Sequence, residues 1–178
     1  LVILFDETWD GSVCSDSLEE ERLHSLGMKL LREYHATIAG QPQEVLEVDP
    51  RLEVECGGHR FTAAADLILR EPDGGVNALR WLSTRTPPSA AEIFDSTGWG
   101  LLFACLRERY PEEDVSVTMV SLRRGGGHRV RFTEDELEAL LRRATRVADR
   151  IRVATQFPAR PGSHCRLCVA RGRCPALA

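Results

Sequence analysis

At 178 residues and 19.9 kDa, the chain has room for one ordinary domain with a small appendage, and for a core that needs no disulfide staples. Its 43% hydrophobic and 28% charged content excludes a disordered or fibrous protein, and no apolar run approaches the ~20 residues that cross a bilayer. The net charge of -4 argues against a general nucleic-acid binder, but it divides into -12 over residues 1–122 and +8 over residues 123–178, which predicts a localised anion-binding face in the last third. A solvated helix in an Arg-rich sequence would give the same arithmetic, since every cation but Lys29 is Arg.

Residues 1–5 are apolar but lack the basic flank and small-residue cleavage site of a signal peptide, and the expected location is cytoplasmic. A chain that opens on Leu1 rather than Met is expected to be part of something longer or trimmed. The spacing of Leu23, Leu26, Leu30 and Leu31 predicts a helix over 18–35, started by a Ser17/Glu20 capping box and ended by Gly40-Gln41-Pro42. Three extended runs follow, over 45–55 (interrupted by Pro50), 60–70 and 76–82, with glycine turns at Gly57-Gly58 and Gly74-Gly75. After Pro87-Pro88, residues 90–110 read as helical except at Gly98 and Gly100; 115–122 and 128–132 read as strands joined by a glycine turn. The last helix opens with a Thr133/Glu136 capping box. It carries an apolar stripe of Leu137, Leu140, Leu141, Ala144, Ala148 and Ile151, with Arg142, Arg143, Arg146 and Arg150 on the other side. The order predicts an α/β fold with a small mixed sheet.

Of six cysteines, three close the chain as Cys165-x2-Cys168-x5-Cys174, followed by Pro175. Two-residue spacing lets both thiolates reach one metal, and the Gly-, Pro- and Arg-rich tail has little else to order it. An iron–sulfur cluster and a zinc site completed by His164 or another cysteine both fit. Without a secretory signal, disulfides are not expected. Cys14, Cys56 and Cys105 are the candidates for a fourth ligand: Cys14 stands in a polar loop, Cys56 ends a strand, and Cys105 sits in an apolar helical segment.

The stretch LEVECGGHRFTAAADLILREPDGGVNALRWLSTRTPP over residues 52–88, together with the cysteine tail, resembles the PD-(D/E)XK nuclease superfamily, in particular its RecB/AddB branch. The resemblance implies a restriction-endonuclease-like α/β core over residues 1–157: helix, three-stranded meander, helix, further strands and a C-terminal helix. Residues 158–178 would form a cysteine-ligated tail. It also implies a [4Fe-4S] cluster on Cys165, Cys168 and Cys174, with Cys14 as the distant fourth ligand. Asp66 falls on the family's first metal-binding aspartate. The acid-x-Lys that should follow is replaced by Arg80-Trp81-Leu82, and residues 76–85 contain no Asp, Glu or Lys. Trp99 and Phe103 stand where the family carries a Gln-x-x-x-Tyr pair, and His24 is the one histidine near its upstream position. An arginine in the place of the acid opposes a cation by roughly 4 kcal/mol per unit charge at ~4 Å and an effective dielectric of ~20.

The resemblance therefore implies a nuclease fold without hydrolysis, which binds DNA or holds together a helicase–nuclease assembly of DNA repair. Arg142, Arg143, Arg146, Arg150, Arg166 and Arg171 are the expected phosphate contacts, with Arg160 and Arg173 nearby. Two alternatives stay open. One is a working exonuclease with a rearranged Mg or Mn site on Asp66, Glu53, Glu55 and Glu92, in which Arg80 or Arg85 does the work of the lysine. The other is a zinc-stapled interaction domain.

Overall fold

A computed structural model describes residues 1–38, 43–84, 86–168 and 171–176. The chain divides into two units, residues 1–145 and 146–178; the expected boundary at 157/158 lies within the second. Among the described residues, no helix is long and apolar enough to cross a membrane.

The first unit opens with α1 (Val2–Thr8), α2 (Ser17–Ile38), and a one-turn 3-10 segment between them. The sequence did not announce α1. Its Phe5 packs beside Trp9 and His24, with ring centroids 5.1–5.4 Å apart. The helix is therefore held by a ring cluster rather than by its own capping. Glu20, expected to close a capping box with Ser17, instead accepts from the Trp9 indole N–H at 3.3 Å. The expected helix stop at residues 40–42 lies outside the described residues.

The first two predicted extended runs each divide in two, giving β1 (Glu44–Val48), β2 (Arg51–Cys56), β3 (His59–Ala64) and β4 (Leu67–Arg70). Asp49, at φ +49° before Pro50, breaks the first run. Ala65-Asp66 breaks the second. β2 and β3 form a separate hairpin with Leu52 opposite Ala63 and Cys56 opposite His59. β1 and β4 instead join β5 (Val76–Leu82), β6 (Val115–Ser121) and β7 (Gly127–Val130) in one sheet of order β1-β4-β5-β6-β7. All its neighbours are antiparallel except β5 and β6, which run parallel from Val76 beside Val115 to Leu82 beside Ser121. This is the mixed sheet of a restriction-endonuclease-like core, as expected.

Parallel neighbours need a crossover, supplied by α3 (Ala90–Asp95) and α4 (Thr97–Arg109). The helical run breaks at Ser96 rather than at its glycines: the Ser89/Glu92 capping box starts α3, and Ser96, extended at ψ 117° with its N–H on Ile93 O at 3.1 Å, ends it. Gly98 and Gly100 both lie inside α4. Its Leu102, Phe103, Cys105 and Leu106 pack with Val76, Ala78, Val117 and Met119 of the sheet and Leu52 of the hairpin into one core. α5 (Glu134–Val153) begins with the Thr133/Glu136 box, seen as Thr133 N–H and Oγ donating to Glu136 Oε2 at 2.8 and 2.9 Å. Its stripe buries Leu137, Leu140 and Ala144, but Ile151 is exposed, so the stripe is a core face only where the helix belongs to the first unit.

Gly100 lets α5 approach α4. A Cβ there would lie 2.5 Å from Leu140 Cδ1 and 3.2 Å from its Cβ, whereas one on Gly98 would meet only Ser96 Oγ at 3.7 Å. Gly100→Ala should cost about 1–3 kcal/mol by overpacking, and Gly98→Ala should be neutral or stabilising, as helix propensity alone dictates. Urea unfolding of the two variants checks this.

Candidate functional site

Asp66 sits where β3 leaves the hairpin and β4 enters the sheet. Its N–H donates to Leu79 O at 2.8 Å, its carbonyl accepts from Asp49 N–H at 2.9 Å, and its carboxylate Oδ2 accepts from Trp81 N–H at 2.6 Å. The half-buried carboxylate thus closes the β4–β5 ladder one step beyond the Leu67/Leu79 pair. This answers the cost of an acid placed among Ala63–Ala65 and Leu67–Leu69: it is hydrogen-bonded to backbone.

The two positions that follow are chemically reversed from a cation site. Strand alternation places Arg80 on the same face as Val76 and Ala78, the α4 side of the sheet. Arg80 is exposed and has no ion pair among the described residues. Leu82 packs against the core. Trp81 points to the opposite face, where its indole N–H donates to Tyr34 Oη at 3.0 Å. Burial pushes the Tyr34 phenol up and the Asp66 charge adds to this, against the Trp81 hydrogen bond.

The other acids proposed for a rearranged centre are not gathered at Asp66. Glu53 and Glu55 lie on the exposed face of the hairpin, 3.9 and 3.5 Å from Arg60. Glu92 accepts from Ser89 N–H and Oγ, both at 2.8 Å, which holds its carboxyl below the usual range. Arg85 lies outside the described residues. His24 is 2.7 Å from Asp6, Lys29 is 3.7 Å from Glu33, and Phe103 stacks on Phe132 with 5.2 Å between centroids. Trp99 lies half-buried against the core. Among the described residues, no group of three or more His, Cys, Asp and Glu side chains is placed to hold a metal ion.

The cysteines divide by environment. Cys105 is fully buried, and burial pushes its thiol up to about 11, making it a core residue. Cys56 is half-buried, 3.9 Å from Thr145 Oγ1. Cys14 is half-buried at the end of the first 3-10 turn; burial raises its thiol pKa first, and Glu20, Glu19, Asp10 and Asp16 add to it. In the second unit, Cys165 lies in a 3-10 turn (Ser163–Leu167) that Cys168 ends, and Cys174 follows another (Arg171–Arg173). Gly162 N–H donates to Cys165 Sγ at 3.4 Å. The donors fit a thiolate-bound metal group by type and spacing, although the three sulfurs are not drawn around one point.

The nominated arginines also divide. Arg142 pairs with Glu138 on its own helix. Arg143 bonds Asp95 O and, at 3.1 Å, Thr97 Oγ1, tethering α5 to the α3–α4 junction. Arg146, Arg150, Arg166 and Arg171 are exposed in the second unit. Sequence reasoning placed the β6–β7 hairpin but nominated none of its basic residues, whose signal was the run Arg123-Arg124-Gly-Gly-Gly-His128-Arg129 in a stretch, 115–133, without a single acid.

A model of the PD-(D/E)XK nuclease superfamily matches residues 2–175. The chain belongs to that superfamily. Two solved structures are similar in outline: SSO0001, at 16% identity and a TM-score of 0.45 over 89% of this chain and 79% of that one, and a provisionally named exonuclease from Eubacterium rectale, at 10% identity and a TM-score of 0.43 over 94% and 71%. No curated protein matches the sequence.

If the Asp66 carboxylate serves the ladder, Asp66→Ala should cost about 1–3 kcal/mol in metal-free buffer, because the Trp81 N–H loses its partner. Asp66→Asn, which keeps an acceptor oxygen, should cost less. Urea titrations in chelator measure both; a carboxylate kept for metal alone would leave Asp66→Ala at wild-type stability or above.

Proposed function

We propose that this chain is a catalytically silent PD-(D/E)XK domain that binds DNA without cutting it, as part of a RecB-type helicase–nuclease system of DNA repair. The observation that carries the reading is the pairing of Arg80 and Leu82 with an Asp66 already bonded to backbone. A hydrolytic centre of this superfamily needs carboxylates to hold a cation that activates water. Here one acid remains, its neighbour is a fixed positive charge, and the lysine position is an aliphatic packed on the core. That charge does part of what a bound metal would do: it attracts a phosphate oxygen, but it supplies no activated water. A strand is held and not hydrolysed.

The tail supports a second element of the proposal, a [4Fe-4S] cluster on Cys165, Cys168 and Cys174, with Cys14 as fourth ligand. The cluster would supply a rigid cross-link for a segment that is short of apolar side chains. The protein's part is to present thiolates from two short turns and to aim backbone N–H groups at sulfur, as Gly162 does at Cys165.

Two measurements test the proposal. Purified protein incubated with labelled single- and double-stranded DNA in Mg2+ or Mn2+ should retain the DNA in a salt-sensitive complex and leave it uncut; cleavage that disappears in Asp66→Ala would overturn the reading and restore a working, rearranged centre. Anaerobic purification should yield about four iron and four acid-labile sulfide per chain. One zinc without sulfide would replace the cluster by a zinc staple on the same cysteines.

A further inference from the structure

The sheet has a second face that the superfamily site does not use. Asn77 and Leu79 point away from the core, and so do Thr118 and Val120 of the neighbouring strand, as alternation requires. Over them lies a cavity of about 290 Å3, whose lining includes Tyr34, Glu71, Asn77, Leu79, Val120 and Arg129, with glycines 125–127 at its rim. That volume stands at the low end for small-ligand sites and suits one heterocyclic base.

The polar lining is built, not incidental. Asn77 is 4% exposed; its amide donates to Glu71 Oε1 at 2.6 Å and its Oδ1 accepts from Thr118 Oγ at 2.9 Å. Arg129 lies 3.5 Å from the same Glu71 oxygen and donates through Nε to the fully buried Ser116 Oγ at 2.8 Å. This ladder fixes Glu71 and leaves its Oε2 as an acceptor. Tyr34, whose oxygen already accepts from Trp81, keeps its own proton to donate. A carboxylate acceptor beside flat aliphatic and aromatic walls matches a base edge with adjacent N–H donors, guanine above thymine.

The rim supplies the charge for the rest of a nucleotide. Gly125 and Gly126 turn the hairpin at φ +66° and +70° and offer a backbone without side chains. Arg123 Nε donates to Ser83 O at 2.5 Å, which ties the hairpin to the end of β5 and leaves the terminal guanidinium nitrogens open. Arg124 is exposed, with no side-chain partner among the described residues. By contrast, Arg142 and Arg143 are spent on Glu138, Asp95 and Thr97.

We propose that the β6–β7 hairpin and the cavity beneath it form a nucleotide subsite for single-stranded DNA, in which Arg123 and Arg124 hold flanking phosphates and the cavity receives one unstacked base through Glu71 and Tyr34. The inference rests on the reading of the chain as a DNA-binding domain and assigns that binding to a face the hydrolytic members' chemistry does not need. Aromatics are few in the chain, so one enclosed base, rather than a stacking platform, is the arrangement these side chains favour.

The test is fluorescence anisotropy with oligo(dT) of about 15 nucleotides, within the usual site sizes, and with the same oligonucleotide carrying one central guanine. Wild type should prefer the guanine oligonucleotide. The Arg123→Ala/Arg124→Ala double variant should weaken both equally and lower the slope of log affinity against log salt by about 1.4, two phosphate contacts on a single strand. Glu71→Gln, which keeps the acceptor for Asn77, should leave that slope unchanged and reduce the guanine preference roughly tenfold, the effect of losing one hydrogen bond to a charged acceptor. Equal wild-type affinity for both oligonucleotides would remove the base subsite, and an unchanged salt slope in the double variant would place the phosphates elsewhere. Either result leaves the DNA-binding reading intact, whereas a wild type that binds neither oligonucleotide at low salt overturns that reading as well.

Discussion

The parallel pairing of β5 and β6 is the constraint on which the rest of the first unit depends. Parallel neighbours cannot be joined by a tight turn, so the chain must leave the sheet and return to it. The excursion is α3 and α4, and it brings the most apolar helix of the protein onto one face of the sheet. With that face closed, β5 reads as a nearly continuous buried strand until Arg80. The register then sets Arg80 beside Met119 and Leu82 beside Ser121. It also brings the basic hairpin after β6 to the same end of the sheet at which β4 begins with Asp66. Leu122 N–H bonds Leu82 O at 3.0 Å there, and Arg123 bonds Ser83 O.

A hydrolytic centre in this fold needs acids exposed toward a common point, and it tolerates the cost of crowding them because a cation offsets the repulsion. In this chain each acid near the place has other work. Asp66 ends a ladder, Glu92 closes a capping box, and Glu53 and Glu55 face Arg60 across the hairpin. These are ordinary structural uses, and each lowers the cost of a carboxylate without any metal. Arg80 is the exception, a cation left to solvent on the site's own face.

The polar side chains of the opposite face follow a different rule. Asn77 and Ser116 are buried in predominantly apolar strands, where an unpaired polar group would be costly. They are tolerated because Thr118, Glu71 and Arg129 complete their hydrogen bonds across three strands. The network keeps a charged pair close to a cavity, on a face that could have been closed with leucine. Satisfied networks of this kind hold side chains in one geometry, which a binding surface needs and a core does not.

Much of the architecture was legible along the chain. Apolar periodicity located α2, periodicity with a capping box located α5, and alternation located β5 and β6, because these signals are local: a helix face or a strand face repeats within a few residues. The splitting of the first two extended runs was not legible. Whether Ala65-Asp66 continues a hairpin or turns into another sheet depends on bonds to Pro50, Asp49 and Leu79, which are distant in sequence. That residues 76–85 hold no Asp, Glu or Lys was plain from residue identity. The roles of the arginines were not. Composition drew attention to α5, but only packing shows Arg142 and Arg143 engaged with acids and hydroxyls, and Arg123 and Arg124 beside a glycine turn with no acid paired to them among the described residues. The sequence by itself determined the fold class, the cysteine spacing and the lack of any acid or lysine over residues 76–85, because these rest on side-chain chemistry and short-range periodicity. Only the tertiary structure decided which charges are spent and which are open, because a charge is free or paired according to what the fold brings within about 4 Å of it.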